Sequence, residues 1–179
     1  MNSNSAYGIQ DGLCDEETPL NPISLYAKTK QDGEELSLKH PNTTVYRLAT
    51  VFGLSRRMRF DLIVNSFALR LVKQGSLGLF EGHFKRNYIH IRDVARVFLH
   101  GIDNFEAMKG RAYNVGLDNA NYSKLELCAQ IKKQLPGFVY FESPVGEDPD
   151  KRDYIVSNER IKHTGFSPQY SVEAGIREL

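Results

Sequence analysis

A ten-residue run at 43–52, Thr-Thr-Val-Tyr-Arg-Leu-Ala-Thr-Val-Phe, constrains the fold most. It is β-branched and apolar along its length and is closed by Gly53, so it reads as a buried strand without the alternation of a half-exposed one. A helical stretch at 23–39 precedes it, with Pro22 at the expected helix start and Pro41 after its end. A buried strand directly after a helix is the signature of an α/β protein with a parallel sheet. The rest of the chain keeps the alternation. Residues 61–73 read as an amphipathic helix ended by Gly75, 77–80 and 87–91 as short strands, and 93–102 as a helix. Residues 112–115 read as a strand. A helix capped by Ser123 runs to Leu135, and 138–142 reads as a last strand. Beyond it strand patterning fades, through Pro144, Val145 and Gly146 and a charged loop to Arg152. Residues 157–164 and 172–179 read as two short surface helices. Residues 1–6 are small and polar, and 11–22 form a turn-rich acidic stretch expected to be a solvated loop.

Composition narrows the function classes. Lys plus Arg is 23 and Asp plus Glu is 22, so the chain has no basic excess to serve as a nucleic-acid footprint. No run approaches the ~18 apolar residues of a membrane span, and no charged-then-apolar leader opens the sequence. No membrane or nucleic-acid partner is expected. Cys14 and Cys128 are the only cysteines, which suits a reducing cytoplasm and offers no zinc spacing. Cys14 is expected to be a free cysteine in a loop, without activating neighbours. His83, His90 and His100 have no partner at metal-ligand spacing and read as solvated or core histidines.

The strongest chemical signal is Tyr26 with Lys30. Four residues apart on a helix, they share one face. A phenol with a pKa near ~10 is a poor base at neutral pH, and a neighbouring ammonium favours its ionised form. Such a pair can take a proton from an alcohol while a hydride leaves the carbon. The spacing alone is weak. Its surroundings carry more: Ser-Asn-Ser-Ala-Tyr-Gly at 3–8, Tyr-Arg-Leu-Ala-Thr-Val-Phe-Gly at 46–53, Arg-Asn-Tyr-Ile-His-Ile-Arg-Asp-Val-Ala at 86–95 and Tyr-Asn-Val-Gly at 113–116. Arg152-Asp153, then Gly-Phe-Ser-Pro at 165–168 and Glu-Ala-Gly at 173–175, close the series.

In this order the motifs resemble the nucleotide-sugar epimerase/dehydratase family of the extended short-chain dehydrogenases, across nearly the whole chain. The resemblance implies the C-terminal part of a Rossmann-like parallel sheet plus a smaller α/β substrate domain. Residues 1–53 would end the Rossmann-like domain and carry the catalytic helix. Residues 54–179 would be mainly the nucleotide-sugar domain, with some segments returning to the Rossmann sheet. It implies NAD as cofactor, a nucleotide sugar as substrate, a cytoplasmic location and a homodimer when full-length, with dimer faces at 31–38 and 62–71. No Gly-rich dinucleotide turn occurs in these 179 residues. The resemblance therefore implies a fragment, short of roughly 120 residues at ~30 per βαβ step, with weak NAD binding alone.

Residue by residue, the resemblance makes Tyr26 the acid/base and gives Lys30 the nicotinamide ribose as well. Ser3 would hydrogen-bond the reacting sugar oxygen. Arg86 and Arg152 would clamp the diphosphate, since guanidinium forks match phosphate oxygens. Asn65 and Thr50 would contact the substrate, Thr50 at a position where relatives often carry Asn. Asp93 is expected to cap its helix. Dehydratases of the family carry acids just after the Ser/Thr, whereas Asn4 and Ser5 stand here and cannot act as acids or bases. This favours a UDP-glucose 4-epimerase-like reaction. A reductase, a 4,6-dehydratase and a non-catalytic nucleotide-sugar- or partner-binding chain are the alternatives.

Overall fold

The computed structural model describes residues 1–144, 146 and 151–179. Strand β1 (Asn2–Ser3) leads through a 3-10 turn (Asn4–Tyr7) into β2 (Ile9–Cys14) and helix α1 (Leu25–Leu38). There follow β3 (Thr44–Leu48), β4 (Thr50–Phe52), α2 (Ile63–Gln74), β5 (Ser76–Leu79), β6 (Lys85–His90), α3 (Ile91–Asp103) and α4 (Phe105–Met108). The chain ends with β7 (Arg111–Val115), β8 (Asn121–Ser123), α5 (Lys124–Gln134), β9 (Val139–Glu142), β10 (Asp153–Val156), α6 (Glu159–Lys162) and α7 (Val172–Glu178). This is the α/β class that the alternation predicts. The predicted segment around Val145 and the acidic part of the loop before Lys151 lie outside the described residues.

The single strand expected over 43–52 is two strands in two sheets. β3 sits between β1 and β7 in an all-parallel sheet, with Ser3 beside Leu48 and Leu48 beside Val115. After Ala49, whose N–H still bonds the Val115 carbonyl at 2.9 Å, the chain crosses to pair β4 with β6. β6 then divides the interior. Successive strand residues point to opposite faces, so Tyr88 enters a core with Phe52, Val64, Phe67, Leu71, Leu127 and Ile131. Its neighbour Ile89 enters a second core with Tyr46, Val94, Val97, Tyr113 and Phe166.

Four strands, β1, β2, β8 and β10, have no clear signature in the sequence, and two of them belong together. The stretch expected as a solvated loop begins with β2, which pairs in parallel with β10. Of the acidic residues after it, Asp15 and Glu17 are exposed, as a solvated loop would have them, whereas Glu16 is tied down. Glu16 Oε1 accepts from the Asn114 N–H at 2.7 Å, and Arg160 donates to the Ala112 carbonyl at 3.3 Å. These side chains fill ladder positions on the outer edge of β7, where an exposed edge would otherwise invite pairing with another chain.

Helix α1 starts at Leu25, three residues past Pro22, because the Ser24 hydroxyl accepts from the Ala27 N–H. Its far half is fixed by a buried ion pair. Arg47 of β3 grips the Glu34 carboxylate through Nε at 3.1 Å to both oxygens and through a second nitrogen at 2.6 Å. Asn2 of β1 donates to the same carboxylate. Arg47 also donates to the Tyr7 hydroxyl at 2.9 Å, and that oxygen lies 2.8 Å from Asn114 Oδ1. The far end of the chain docks by close approach. A Cβ on Gly175 would lie 2.3 Å from Phe52 and 2.9 Å from His90, and one on Gly53 would lie 2.5 Å from His90.

Arg47→Ala strands the Glu34 carboxylate in the interior. It is expected to lower the unfolding free energy by ~3–5 kcal/mol, whereas the double change Arg47→Met/Glu34→Leu recovers most of that loss. Urea unfolding of the three proteins checks this. Equal stability of Arg47→Ala and the unmodified chain would refute it.

Candidate active site

A cavity of about 390 Å³ opens between α2, β5 and the start of β6. Thr50, Arg86 and Arg152 line it, so three of the four predicted substrate-binding residues come together from β4, β6 and the segment before β10. Arg86 is buried; it donates to the Lys85 carbonyl at 2.9 Å, and its guanidinium carbon lies 5.6 Å from the Tyr154 ring centre. Arg152 donates to the Ser5 hydroxyl. Of the two acids near Arg152 in sequence, Asp153 accepts from the Lys85 N–H at 2.8 Å, and Asp150 lies outside the described residues.

Asn65 is not in the cavity wall. Buried in the first turn of α2, it accepts from the Gly53 N–H at 3.3 Å and donates to the Arg59 carbonyl at 3.2 Å. It braces the loop that roofs the site. That loop carries Arg59, held by Asp61 at 2.8 and 2.6 Å, and Asp61 lines the cavity.

Ser3 closes β1, with its hydroxyl 2.7 Å from that of Ser5. A chain of three side chains, Ser3–Ser5–Arg152, therefore runs from the end of β1 to the cavity. Tyr26 and Lys30 lie outside the cavity walls. Tyr26, in the first turn of α1, is 56% exposed, and the Lys30 ammonium is 5.5 Å from its ring centre. α1 packs on β1, the 3-10 turn and β3, which brings the helix of Tyr26 against the strand of Ser3.

The structure adds cavity residues that the sequence did not flag. Arg70 sits on the polar side of α2 and Lys124 directly follows a helix cap, both patterns of surface residues. Phe80 and Phe84 flank β5 and the turn after it. All four line the cavity with Leu77 and Leu79. Opposite them, α2 turns Val64, Phe67 and Leu71 into the core, and its Leu62, Ile63 and Ser66 also line the cavity. Within the expected dimer face at 62–71, Val64, Asn65, Phe67 and Leu71 are buried, whereas Ala68 and Leu69 are half-buried and Arg70 is exposed.

Asp93 does not cap its helix. His90 does so, its Nδ1 accepting from the Arg92 N–H at 3.2 Å. Asp93 binds the incoming C-terminal segment through the N–H groups of Gln169 (3.0 Å) and Tyr170 (2.9 Å) and pairs with Arg96 at 2.6 Å. His90 is fully buried, stacked on Tyr170 at 4.8 Å, and burial holds its pKa below the usual histidine range. Among the described residues no group of His, Cys, Asp and Glu is arranged to hold a metal, and no helix is long and apolar enough to cross a membrane.

The parallel β1–β3–β7 sheet, with the Tyr–Lys helix packed on it, defines a Rossmann-like α/β protein. The sequence model of the NAD dependent epimerase/dehydratase family matches residues 1–116. The chain belongs to that family, which is a family of NAD-dependent enzymes. It is 27% identical over 190 residues to a dTDP-glucose 4,6-dehydratase of Streptomyces griseus, covering 98% of this chain and 55% of that one. It superposes on a UDP-glucuronic acid 4-epimerase of Bacillus cereus, solved with UDP-glucuronic acid and NAD, with a TM-score of 0.86 at 22% identity. That match covers 99% of this chain and 58% of the epimerase. A dTDP-glucose 4,6-dehydratase of Bacillus anthracis, solved with NAD, aligns with a TM-score of 0.78 at 24% identity over 99% and 58% of the two chains. The chain thus spans a little over half the length of these relatives.

The residues present fit one end of NAD. At the end of β1, Asn2 Oδ1 and both side-chain atoms of Asn4 are buried without hydrogen-bond partners, and Tyr26 and Lys30 offer a hydroxyl and an ammonium on the adjoining helix. They suit the nicotinamide ribose. The pyrophosphate needs a Gly-rich turn that these 179 residues lack.

The thiols are not part of the site. Cys14 ends β2, not a loop, and burial pushes it up to about 11; burial pushes Cys128 up to about 12. About one Cys14 in a thousand is then thiolate at pH 8. A disulfide reagent at pH 8 is expected to leave both thiols unmodified in the folded chain and to titrate both after unfolding. Rapid labelling of Cys14 in the folded chain would contradict this.

Proposed function

We propose that this chain is the substrate-binding and acid/base part of an NAD-dependent nucleotide-sugar epimerase, of the UDP-glucose 4-epimerase kind. The observation that carries the reading is the Ser3–Ser5–Arg152 chain, which joins a cation-lined cavity to the strand end beside the Tyr–Lys helix. In this reading residues 1–53 complete the Rossmann-like domain and 54–179 form mainly the sugar-nucleotide domain. The pairing of β7 with β3 supports a segment that returns to the Rossmann sheet.

Arg86 and Arg152 hold the diphosphate by charge-assisted hydrogen bonds. Thr50, in the same wall, contacts the substrate, and Asn65 acts by holding the roof loop. The sugar hydroxyl rests between Ser3, which hydrogen-bonds its oxygen, and Tyr26, which takes its proton. Lys30 stabilises the phenolate and binds the nicotinamide ribose. NAD, when bound, would supply the hydride-transfer chemistry. The keto-sugar turns over between the two transfers, and Tyr26 gives the proton back to the inverted alcohol. The positions that would carry dehydratase acids hold Asn4 and Ser5, both buried and neither ionisable. Because no Gly-rich turn lies in the chain, catalysis requires one supplied by further sequence or by a partner chain. The whole enzyme is proposed to be a cytoplasmic homodimer, with the exposed Leu36 face of α1 in the contact.

Two other readings are favoured by single observations. Likeness to 4,6-dehydratases favours elimination or a related reduction. The missing turn favours a non-catalytic chain that binds a nucleotide sugar or a partner.

Two measurements separate them. Arg86→Ala and Arg152→Ala are each expected to weaken UDP binding about ten- to a hundredfold, the loss of ~1.5–3 kcal/mol from a hydrogen bond to a charged group. Unchanged affinity in both would remove the cavity from the reading. In the complete enzyme, Tyr26→Phe is expected to lower kcat by about 10²–10⁴ with KM little changed. Product analysis must show the inverted sugar; a 4-keto-6-deoxy sugar would establish the dehydratase instead.

A further inference from the structure

The cavity carries a cation that a diphosphate clamped by Arg86 and Arg152 does not call for. Lys124, the first residue of α5, is buried in the wall. Its ammonium donates to the Phe80 carbonyl at 2.7 Å and stands 5.7 Å from the centre of the Phe84 ring. The capping box of Ser123 and Glu126 fixes the backbone of this first turn. Lys124 is thereby anchored beside Leu77, Leu79, Phe80 and Phe84, the apolar side of the cavity.

That side suits a flat, apolar-faced ring, and a buried positive charge at its border suits a ring edge bearing carbonyl oxygens. Uracil and thymine carry two exocyclic carbonyls flanking one N–H. Cytosine replaces one carbonyl by an amino group, guanine carries one carbonyl and one amino group on either side of its N–H, and adenine has no carbonyl. An amino group brought against an ammonium leaves two donors facing each other, in a site where unpaired polar groups are costly.

We infer that Lys124 is a specificity-determining residue that selects a pyrimidine-dione nucleotide, uracil or thymine, over cytosine and the purines. The inference rests on the nucleotide-sugar reading of the cavity.

The test is a calorimetric titration of the 179-residue chain with UDP, TDP, CDP, GDP and ADP, repeated on Lys124→Met and Lys124→Arg. The unmodified chain is expected to bind UDP and TDP at least about tenfold tighter than the other three, ~1.4 kcal/mol. Lys124→Met should bring all five within about threefold of one another, ~0.7 kcal/mol, chiefly by weakening UDP and TDP. Lys124→Arg keeps the charge and should keep the preference, so it remains informative if the methionine variant fails to fold. Equal loss for all five ligands in Lys124→Met would place Lys124 on the phosphates and overturn the inference while leaving the nucleotide reading intact. The inference is overturned in the same way if the unmodified chain binds all five alike, or if Lys124→Arg loses the preference. Binding of none of the five by the unmodified chain would remove the nucleotide reading itself, and the inference with it.

Discussion

The Glu34–Arg47 pair is the interaction on which the arrangement of the site depends. Both side chains are buried, and three segments meet at them: α1 through Glu34, β3 through Arg47, and β1 through Asn2. A buried ion pair is rarely a source of net stability, because desolvation offsets most of the attraction. What it supplies here is a fixed roll of the helix. Tyr26, Lys30 and Glu34 lie at successive four-residue steps along one stripe of α1. Anchoring Glu34 sets the direction in which the other two point, and Asn2 ties the residue next to Ser3 to the same carboxylate. The phenol of Tyr7, accepting from Arg47, is pushed up to about 12 by burial. It therefore serves the network as a neutral hydroxyl.

The second organising element is β6. Its alternation hands Tyr88 to one core and Ile89 to the other, and its flanking residues serve the two ends of the molecule. Arg86, at its start, enters the cavity. His90, at its end, receives the C-terminal helix through the absent side chains of Gly53 and Gly175. Asp93 extends the same junction by holding the backbone of Gln169 and Tyr170. Chain segments some eighty residues apart are thus locked by a charge and by two glycines. Neither device has a periodic signature.

Much of this is legible in the sequence. The helix and strand periods place most elements to within a few residues, because each reflects local backbone geometry and burial on one side. The Tyr–Lys spacing and the ordered motifs around it point to the family that the sequence comparison establishes. The strands at 9–14 and 153–156 are not legible in this way. They stabilise each other across the chain, and the residues of β2, Ile-Gln-Asp-Gly-Leu-Cys, have turn-like composition. The break at Ala49 is invisible in the sequence because apolar β-branched residues suit either of two neighbouring strands equally.

The sequence by itself determined the α/β alternation, which residue type and short spacing carry, and it nominated Tyr26 with Lys30 by their four-residue spacing and Arg86 and Arg152 by their place in the ordered motifs. Tertiary structure decided which of these meet. Thr50, Arg86 and Arg152 share one cavity and Asn65 does not, although all four were candidates for contact with the substrate. It brought Lys124 and Arg70 into that cavity from helix positions that read as surface, and it turned Asp93 from a cap into a clasp. The reason is physical: periodicity reports how strongly a residue is drawn inward, whereas its partner depends on contacts between segments far apart in the chain.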